Sequence, residues 1–524
     1  MVGNLKNNMK HKKIIVFAFL FICVLYSFSF YFSGYFFADH FYWQNMSQFK
    51  DLNAMHILSL WGIDIWADIF GRSLISSRVL AFILNSVCLC VPFYCINFKK
   101  SPDTYLYLCA AFILVGDGTD RCCNPDNFVP LLFSIIIVLL FKYCDCRSKT
   151  MILVSALILV VATGLCKMPT IIVMFIFSLL IYVESKQSPS KYIVPLIFIM
   201  CSIVGYLASL GGLLDTCNPL EFIHKDLNKY HEINPEQSHG MLALVVHYLK
   251  SIIRSSVSLA FIFFPFLLFK RYNRLFKESK LLIVLPFIVS LFLLTLVNNT
   301  IFYHLGIKEV VVFYTALLWL FIAYISYKEN DGKYLLYLLV ALTLFIPSAG
   351  SDSGFCRSAI LACSMIPVGL TVFHKYKPKN TVFLYGLLVM SISSVFIQGK
   401  TLFSYDMVSK SHNLQCIFES RVTVEYTDEL IDSSKHYYAK DHVVFMGPQQ
   451  YTQLFYFVTE SKPLYMPDFM IEKNNIQKIN KGIDALNNDK NNVLIDANKS
   501  DVELFTSRGL QLIQTTELFN VYAF

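Results

Sequence analysis

Asp39 and His40 stand directly behind the first long apolar run of the chain, residues 14–37. A run of that length crosses a bilayer as a helix, so Asp39 falls where the helix leaves the low-dielectric slab. A carboxylate there is costly to keep and marks a site by default. Around it crowd Tyr35, Phe36, Phe37, Phe41, Tyr42 and Trp43, the composition of a membrane interface. A carboxylate so placed either caps a span or takes a proton from a hydroxyl. Position alone does not separate the two.

Cations recur on the same side of the sequence. Arg72 and Arg78 flank Ser73-Leu-Ile-Ser-Ser77 at the start of the second apolar run. The segment 116–127 holds Asp117, Asp120, Arg121 and Asp126. Asp126, beside Pro125, reads as a helix cap with an acid at the favourable end of the dipole; that reading does not explain Asp117 and Asp120. A single lysine, Lys167, sits in Gly164-Leu-Cys-Lys167-Met-Pro169. It either snorkels at a membrane edge or binds a phosphate as a point charge. His239, His247-Tyr248, Lys250 and Arg254 lead into a later run, the last three charges sharing one helical face. Tyr303-His304 with Lys308-Glu309, and the 347–354 loop with Asp352, are weaker signals.

These residues need a membrane to position them. The chain has 524 residues, 56% hydrophobic and 15% charged, with a mean hydropathy of +0.54. Soluble domains are nearer a quarter charged. Apolar runs recur at 14–37, 79–98, 104–116, 128–143, 150–165, 168–184, 192–213, 256–269, 281–298, 310–327, 334–347, 358–373 and 381–398, about thirteen spans. The net charge of +8 lies in short loops and excludes a nucleic-acid reading. Lys6, Lys10, Lys12 and Lys13 precede the first run, which is too long for a cleaved signal and reads as a signal anchor. With the N-terminus inside, the inner loops hold 21 basic residues and the outer loops up to residue 398 hold 11, as the positive-inside rule requires. An odd number of spans puts the C-terminus outside.

The outer surface is the elaborated one. Loop 38–78 carries a half-apolar stretch, 46–66, that reads as interfacial helices, and loop 214–255 is polar and then apolar. From 399 to 524 the composition is that of a soluble domain. Strand-like runs at 442–446, 492–495, 510–513 and 519–522 alternate with helix-like runs at 427–438, 449–459, 476–486 and 501–508, which predicts a small α/β sheet domain. It lacks a Gly-rich phosphate loop. Fifteen cysteines lie mostly inside spans, and none shows zinc spacing with histidines. Cys122, Cys123, Cys217, Cys356 and Cys416 fall outside, where a disulfide of unassigned pairing stays open.

This arrangement resembles the GT-C class of polyprenyl-phosphate-sugar-dependent glycosyltransferases, the branch with the aminoarabinose transferase of lipid A and the protein O-mannosyltransferases. The features are Asp39 after span one, Gly71-Arg72-Ser73…Arg78, Arg121…Pro125-Asp126, the Lys167 segment and, more loosely, His239…Tyr248. They cover residues 14–260. The resemblance implies an α-helical polytopic enzyme of the bacterial inner membrane with a periplasmic C-terminal domain. It would move a sugar from polyprenyl phosphate to lipid A, a surface polysaccharide or a protein. By that resemblance Asp39 is the base. Lys167, Arg72, Arg78 and Arg121 bind the donor phosphate, and Asp126, His40, His239 and Tyr248 orient substrate. Many members carry a second acid where His40 stands, which leaves a divalent metal open. A lipid-linked-oligosaccharide flippase would place polar residues within spans. An O-antigen-ligase-like enzyme would not need Asp39, and a noncatalytic assembly subunit would carry these residues idly.

Overall fold

The computed structural model describes residues 2–34, 38–48, 57–98, 100–116, 122–146, 154, 158, 240–272, 281–300, 307–348, 354–402, 405–435, 443–447, 449–461, 476–486, 489 and 491–524. Among the described residues six helices are long and apolar enough to cross a membrane: Lys12–Phe32, Leu74–Cys95, Asp126–Asp145, Val246–Arg271, Lys308–Lys328 and Cys356–Tyr376. Four shorter apolar helices accompany them: Pro102–Val115, Val284–Leu296, Tyr334–Ser348 and Val382–Ile397. Ten of the expected runs therefore fall on described helices. The runs at 150–165, 168–184 and 192–213 lie outside the described residues. The chain is a helical membrane protein with a small C-terminal sheet region.

In chain order the helices of the bundle are α1 (Val2–Ser29), α2 (Ala38–Gln48), α3 (Ile57–Phe70), α4 (Leu74–Cys95), α5 (Pro102–Val115) and α6 (Pro125–Cys146). After the undescribed segment follow α7 (Gly240–Tyr272), α8 (Leu281–Thr300), α9 (Lys308–Lys328), α10 (Tyr334–Thr343), α11 (Ala359–Tyr376) and α12 (Val382–Leu402). Their starts are written in the sequence. Ser73 caps α4, its hydroxyl accepting from Ser76 N, and Ser101 forms a reciprocal box with Thr104 at the start of α5, with Pro102 in the first turn. The run at 256–269 is only the inner part of α7, which begins at Gly240.

α9 and α11 form the centre of the bundle, both buried over most of their length. Lipid tails give helices no hydrophobic reason to associate, so close backbone approach and fitted side chains decide packing. Trp319, Tyr314, Phe133 and Leu361 are fully buried in this core. Gly369 of α11 lets Leu318 and Trp319 of α9 approach; a Cβ there would meet Leu318 Cδ2 at 2.9 Å. α3 instead exposes Trp61, Ile65, Ile69 and Phe70, a stripe at helical spacing suited to the membrane interface.

The C-terminal region begins with a short antiparallel pair, β1 (Met407–Val408) and β2 (Phe418–Glu419). It continues through α13 (Arg421–Ser434), β3 (Val443–Met446), α14 (Gln449–Thr459), α15 (Ile476–Ala485), β4 (Val493–Asp496), α16 (Val502–Thr506), β5 (Gln511–Thr515) and β6 (Asn520–Ala523). The four-stranded sheet runs β3-β4-β6-β5. β3 and β4 are parallel and the other pairs antiparallel. Alternate residues face opposite sides, as a pleat demands. Phe445, Val493 and Ile495 pack on Leu430 of α13 and Phe455 of α14, while Val444, Met446 and Leu494 pack on Ile479 of α15 and Phe505 of α16.

Candidate functional site

Among the described residues, Arg72, Arg78, Asp126 and Tyr248 lie at the end of the bundle where the C-terminal region docks. The first feature is the turn that follows α1. Arg78 of α4 is fully buried. Its guanidinium donates to the carbonyl oxygens of Tyr31 (3.0 Å), Ser33 (3.1 Å) and Gly34, and its Nε reaches Cys122 Sγ at 3.4 Å. The other edge of this turn is held from the C-terminal region: Gly34 N donates to Phe418 O at 2.7 Å, and Ser33 bridges Phe418. Gly34 adopts φ +68°, a left-handed conformation that glycine takes without penalty. Here the structure corrects an expectation. Arg78 is no phosphate ligand, because its donors are satisfied by backbone and no solvent or lipid reaches it.

The second feature is α2, the helix whose first turn contains Asp39 and His40. The backbone of these two residues is described; their side chains lie outside the described atoms. The rest of the helix is gripped from both sides. Gln44 Nε2 donates to Ser77 Oγ of α4 at 2.7 Å and to Cys123 O at 3.4 Å. Asn45 Nδ2 donates to Gln453 of α14, at 2.8 Å to its carbonyl and 3.0 Å to its side chain. Phe41 packs on Phe457 of α14, centroids 5.2 Å apart, in a small core shared with Leu74, Leu414 and Ile417. Positions 41, 44 and 45 fall on one helical face, the face that docks on α4 and α14. Arg72 stands beside it, with Nη1 3.5 Å from Ser47 Oγ. It pairs with Asp64 and, at 3.9 Å, with Asp68 of α3, and it lines a small cleft with Gln44, Gln48 and Glu460. Half-exposed, Arg72 keeps access to solvent.

A chain of amides links this turn to α6. Asn85 Nδ2 donates to the Tyr31 hydroxyl at 2.9 Å, and Asn127 Nδ2 donates to Asn85 Oδ1 at 3.0 Å. Asn124 N donates to Asn127 Oδ1 at 2.9 Å, and Asp126 N to Asn124 Oδ1 at 2.8 Å. The cap of α6 is therefore Asn124, which corrects the reading of Asp126 as the cap. Asp126 pairs instead with Arg357, just before α11, at 3.2 Å, both side chains mostly buried. Burial, with the neighbouring Cys122, pushes the Cys123 thiol well above its usual range, so Cys123 is a packing group. Cys123 and Cys416 are free thiols; Cys217 lies outside the described residues.

The third feature joins α7, α9 and α11. Lys308 and Glu309 open α9 and are both buried. Glu309 Oε1 accepts from Ser251 Oγ of α7 at 2.5 Å and from Phe355 N at 3.3 Å. Gly354, at φ +63°, lies so close that a Cβ would collide with Glu309 Oε1 and sit 3.4 Å from His247 Nε2. Among the described residues His247 Nε2, a buried atom, has no hydrogen-bond partner. Tyr248 donates to Ser348 O at 2.6 Å and stacks near Phe355, centroids 4.9 Å apart, so its hydroxyl holds a loop. His247 and Lys250, expected on one face, part company: His247 turns toward Gly354 and Lys250 is exposed.

Sequence reasoning missed Arg357, Asn85 and Asn124, and ranked Glu309 low. An arginine at the outer start of an apolar run was a usable signal for Arg357, the same one that drew attention to Arg72. Asp117, Asp120, Arg121, Lys167, His239, the Tyr303-His304 pair and Asp352 lie outside the described residues. Among the described residues no group of three or more His, Cys, Asp or Glu side chains is arranged to hold a metal. No protein-family model matches the chain, and no curated protein matches it.

Proposed function

We propose that this protein is an integral membrane glycosyltransferase that moves a sugar from a polyprenyl-phosphate carrier to an acceptor outside the cytoplasm, with Asp39 as the base. The observation that carries the reading is the doubly held helix α2. Arg78 fixes the turn before it, and Gln44 and Asn45 fix it between bundle and C-terminal region. A base must be positioned within hydrogen-bond reach of its proton, and a rigid mount at a membrane edge meets that requirement. Buried charge on α6, α9 and the turn before α11 gathers at the same end of the bundle, where a lipid phosphate would meet water.

In the proposed step, Asp39 takes the proton of the acceptor hydroxyl as that oxygen attacks the anomeric carbon. The bond from that carbon to the phosphate oxygen breaks, and its electron pair leaves with polyprenyl phosphate. A single displacement of this kind inverts the anomeric centre. Lys167, Arg121 and the half-exposed Arg72 are the cations assigned to the departing phosphate, where preorganised charge is most effective. Arg78 becomes a positioning residue, and Tyr248 and the Asp126–Arg357 pair hold the neighbouring loops. The orientation assigned to this reading is N-terminus inside and C-terminal region outside in a bacterial inner membrane.

The test uses membranes containing the full chain and a polyprenyl-phosphate sugar, with mass spectrometry of envelope glycolipids and glycoproteins. Asp39→Asn is expected to lower transfer about 10²- to 10⁴-fold, the range for a lost general base, with expression and helix content unchanged. Retained transfer in that variant removes the mechanism. Accumulation of a whole lipid-linked oligosaccharide in cells lacking the protein, in place of loss of a single sugar, would point to a flippase.

A further inference from the structure

At the opposite end of the bundle, a cleft of about 790 Å³ opens between α1, α5, α11 and α12. Its floor is buried: Tyr107 of α5 and Leu387 and Ser391 of α12 are almost inaccessible. Its rim is not. Phe19, Leu106, Leu384, Leu388 and Val395 all line it and are exposed, so the cleft opens sideways to the bilayer. The lining residues run from Asp103 to Ile113 on α5 and from Leu384 to Val395 on α12. At 1.5 Å per residue each wall is about 15 Å long, half the thickness of a hydrocarbon core.

Among the described residues, Ser391 Oγ and His374 Nε2 in the wall have no hydrogen-bond partner. Its mouth is polar and cationic. Ser101, Asp103 and His374 line it, Lys12 pairs with Asp103 at 3.5 Å, and exposed Lys375 and Lys379 adjoin the lining residues His374 and Pro378.

We propose that this cleft binds one phospholipid, with an acyl chain lying between α5 and α12 and the phosphate at the mouth among Lys12, Lys375 and Lys379. The exposed apolar rim opens to the bilayer, so an acyl chain reaches the cleft directly, and about 790 Å³ lies within the range of small-molecule sites, about 300–1,000 Å³. Charge sets the headgroup, because the lysines at the mouth complement a phosphate. This site lies at the other end of the bundle from the proposed transfer chemistry, and its test does not depend on that chemistry.

The test places the full chain in nanodiscs with a phosphatidylglycerol carrying a photoactivatable diazirine on its acyl chain, and maps labelled peptides by mass spectrometry. Labelling is expected to concentrate on 103–113 and 384–395, and excess unlabelled phosphatidylglycerol should lower it at least fivefold. Ala110→Trp, which fills the cleft, should lower it as much. Leu388→Trp at the rim serves the same purpose if the first variant fails to fold. Lys375→Ala with Lys379→Ala should weaken competition by phosphatidylglycerol at least threefold and leave labelling by an uncharged diacylglycerol probe unchanged. Labelling spread evenly over all exposed apolar helices, labelling indifferent to Ala110→Trp and Leu388→Trp, or cross-linking of another segment of the chain inside the cleft would each overturn the proposal.

Discussion

The two ends of the bundle treat charge in opposite ways. At the end that meets the C-terminal region, Arg78, Lys308, Glu309, Asp126 and Arg357 are buried or nearly so. At the far end Lys12, Lys100, Lys142, Lys328, Lys375, Lys377 and Lys379 are exposed, and their ion pairs join half-open side chains, as in Lys377–Glu329 at 3.6 Å and Lys333–Asp145 at 2.6 Å. Burying a charge costs several kcal/mol unless hydrogen bonds compensate. A fold keeps such groups where geometry has to be fixed. Solvated lysines at the far end carry little energy and fit the cytoplasmic face proposed for that end. The difference separates residues that build a site from residues that report topology.

The sharpest way to break this comparison is Arg78→Met. The substitution removes the hydrogen bonds that Arg78 donates to the carbonyls of Tyr31, Ser33 and Gly34, at about 1–3 kcal/mol for a buried group that loses its partner. The expected result is a loss of about 3 kcal/mol or more in the stability of the α1–α2 turn. Hydrogen exchange by mass spectrometry should then rise over residues 33–48 while α9 and α11 stay protected. Unchanged exchange there would mean that Arg78 does not hold α2 in place. Arg78→Lys should give an intermediate result, since an ammonium lacks the planar fork that spans several acceptors.

The Asp126–Arg357 pair ranks next. With both side chains mostly buried, removing one partner takes a buried counter-charge from the other. Asp126→Asn and Arg357→Gln should each destabilise by about 2–4 kcal/mol, and the double variant by clearly less than their sum. Thermal unfolding in detergent, followed by thiol labelling of the buried cysteines, measures the coupling. Strict additivity would show that the two groups act separately.

These two cases also show what the sequence could and could not reveal. The apolar runs identified α1, α4, α5, α6 and α8 to α12 because a span needs length and apolar composition, both local properties. The C-terminal strands were legible for the same reason: Val443–Met446 and Val493–Asp496 are short apolar runs between turn residues. The role of Arg78 was not legible. An arginine at the start of an apolar run looks the same whether it faces a phosphate or three carbonyls from residues 31–34. Arg357 and Asp126 are separated by more than two hundred residues, and only tertiary contact joins them. The start of α7 was misjudged because His247, Lys250 and Arg254 interrupt the apolar stretch before residue 256; the helix runs through them from Gly240.

Within the C-terminal region, Tyr456 extends the comparison to a neutral group. Its hydroxyl donates to Val443 O at 2.9 Å and accepts from Phe445 N at 2.8 Å, closing the free edge of β3, where open backbone groups are a liability. Burial pushes its phenol well up, and Tyr426 is pushed up to about 12 by burial and then by Tyr451 and Glu429. Both folded values lie above the unfolded value of about 10. Below pH 10 both states hold the proton and no stability is lost. Above it the unfolded chain ionises first, so stability falls as pH rises through that window. Limited proteolysis of the full chain between pH 9 and pH 11 should show faster cleavage in 405–524 as pH rises. Tyr456→Phe should cost about 1–2 kcal/mol at neutral pH and flatten the alkaline loss.

The smallest expected effect completes the contrast. Lys377→Ala removes an exposed cation whose pair with Glu329 joins two half-open side chains at 3.6 Å. Such pairs contribute about 0–1 kcal/mol and are screened by salt, so the unfolding midpoint should move by no more than about a degree. The change should shrink further at 0.5 M salt. A loss comparable to that of Arg357→Gln would show that the far end also buries charge at a cost, and the distinction between building and orienting residues would fail. If Lys377→Ala is silent in stability yet alters the proportion of molecules with the C-terminal region outside, as read by protease access in sealed vesicles, the far-end cations act as the positive-inside rule requires.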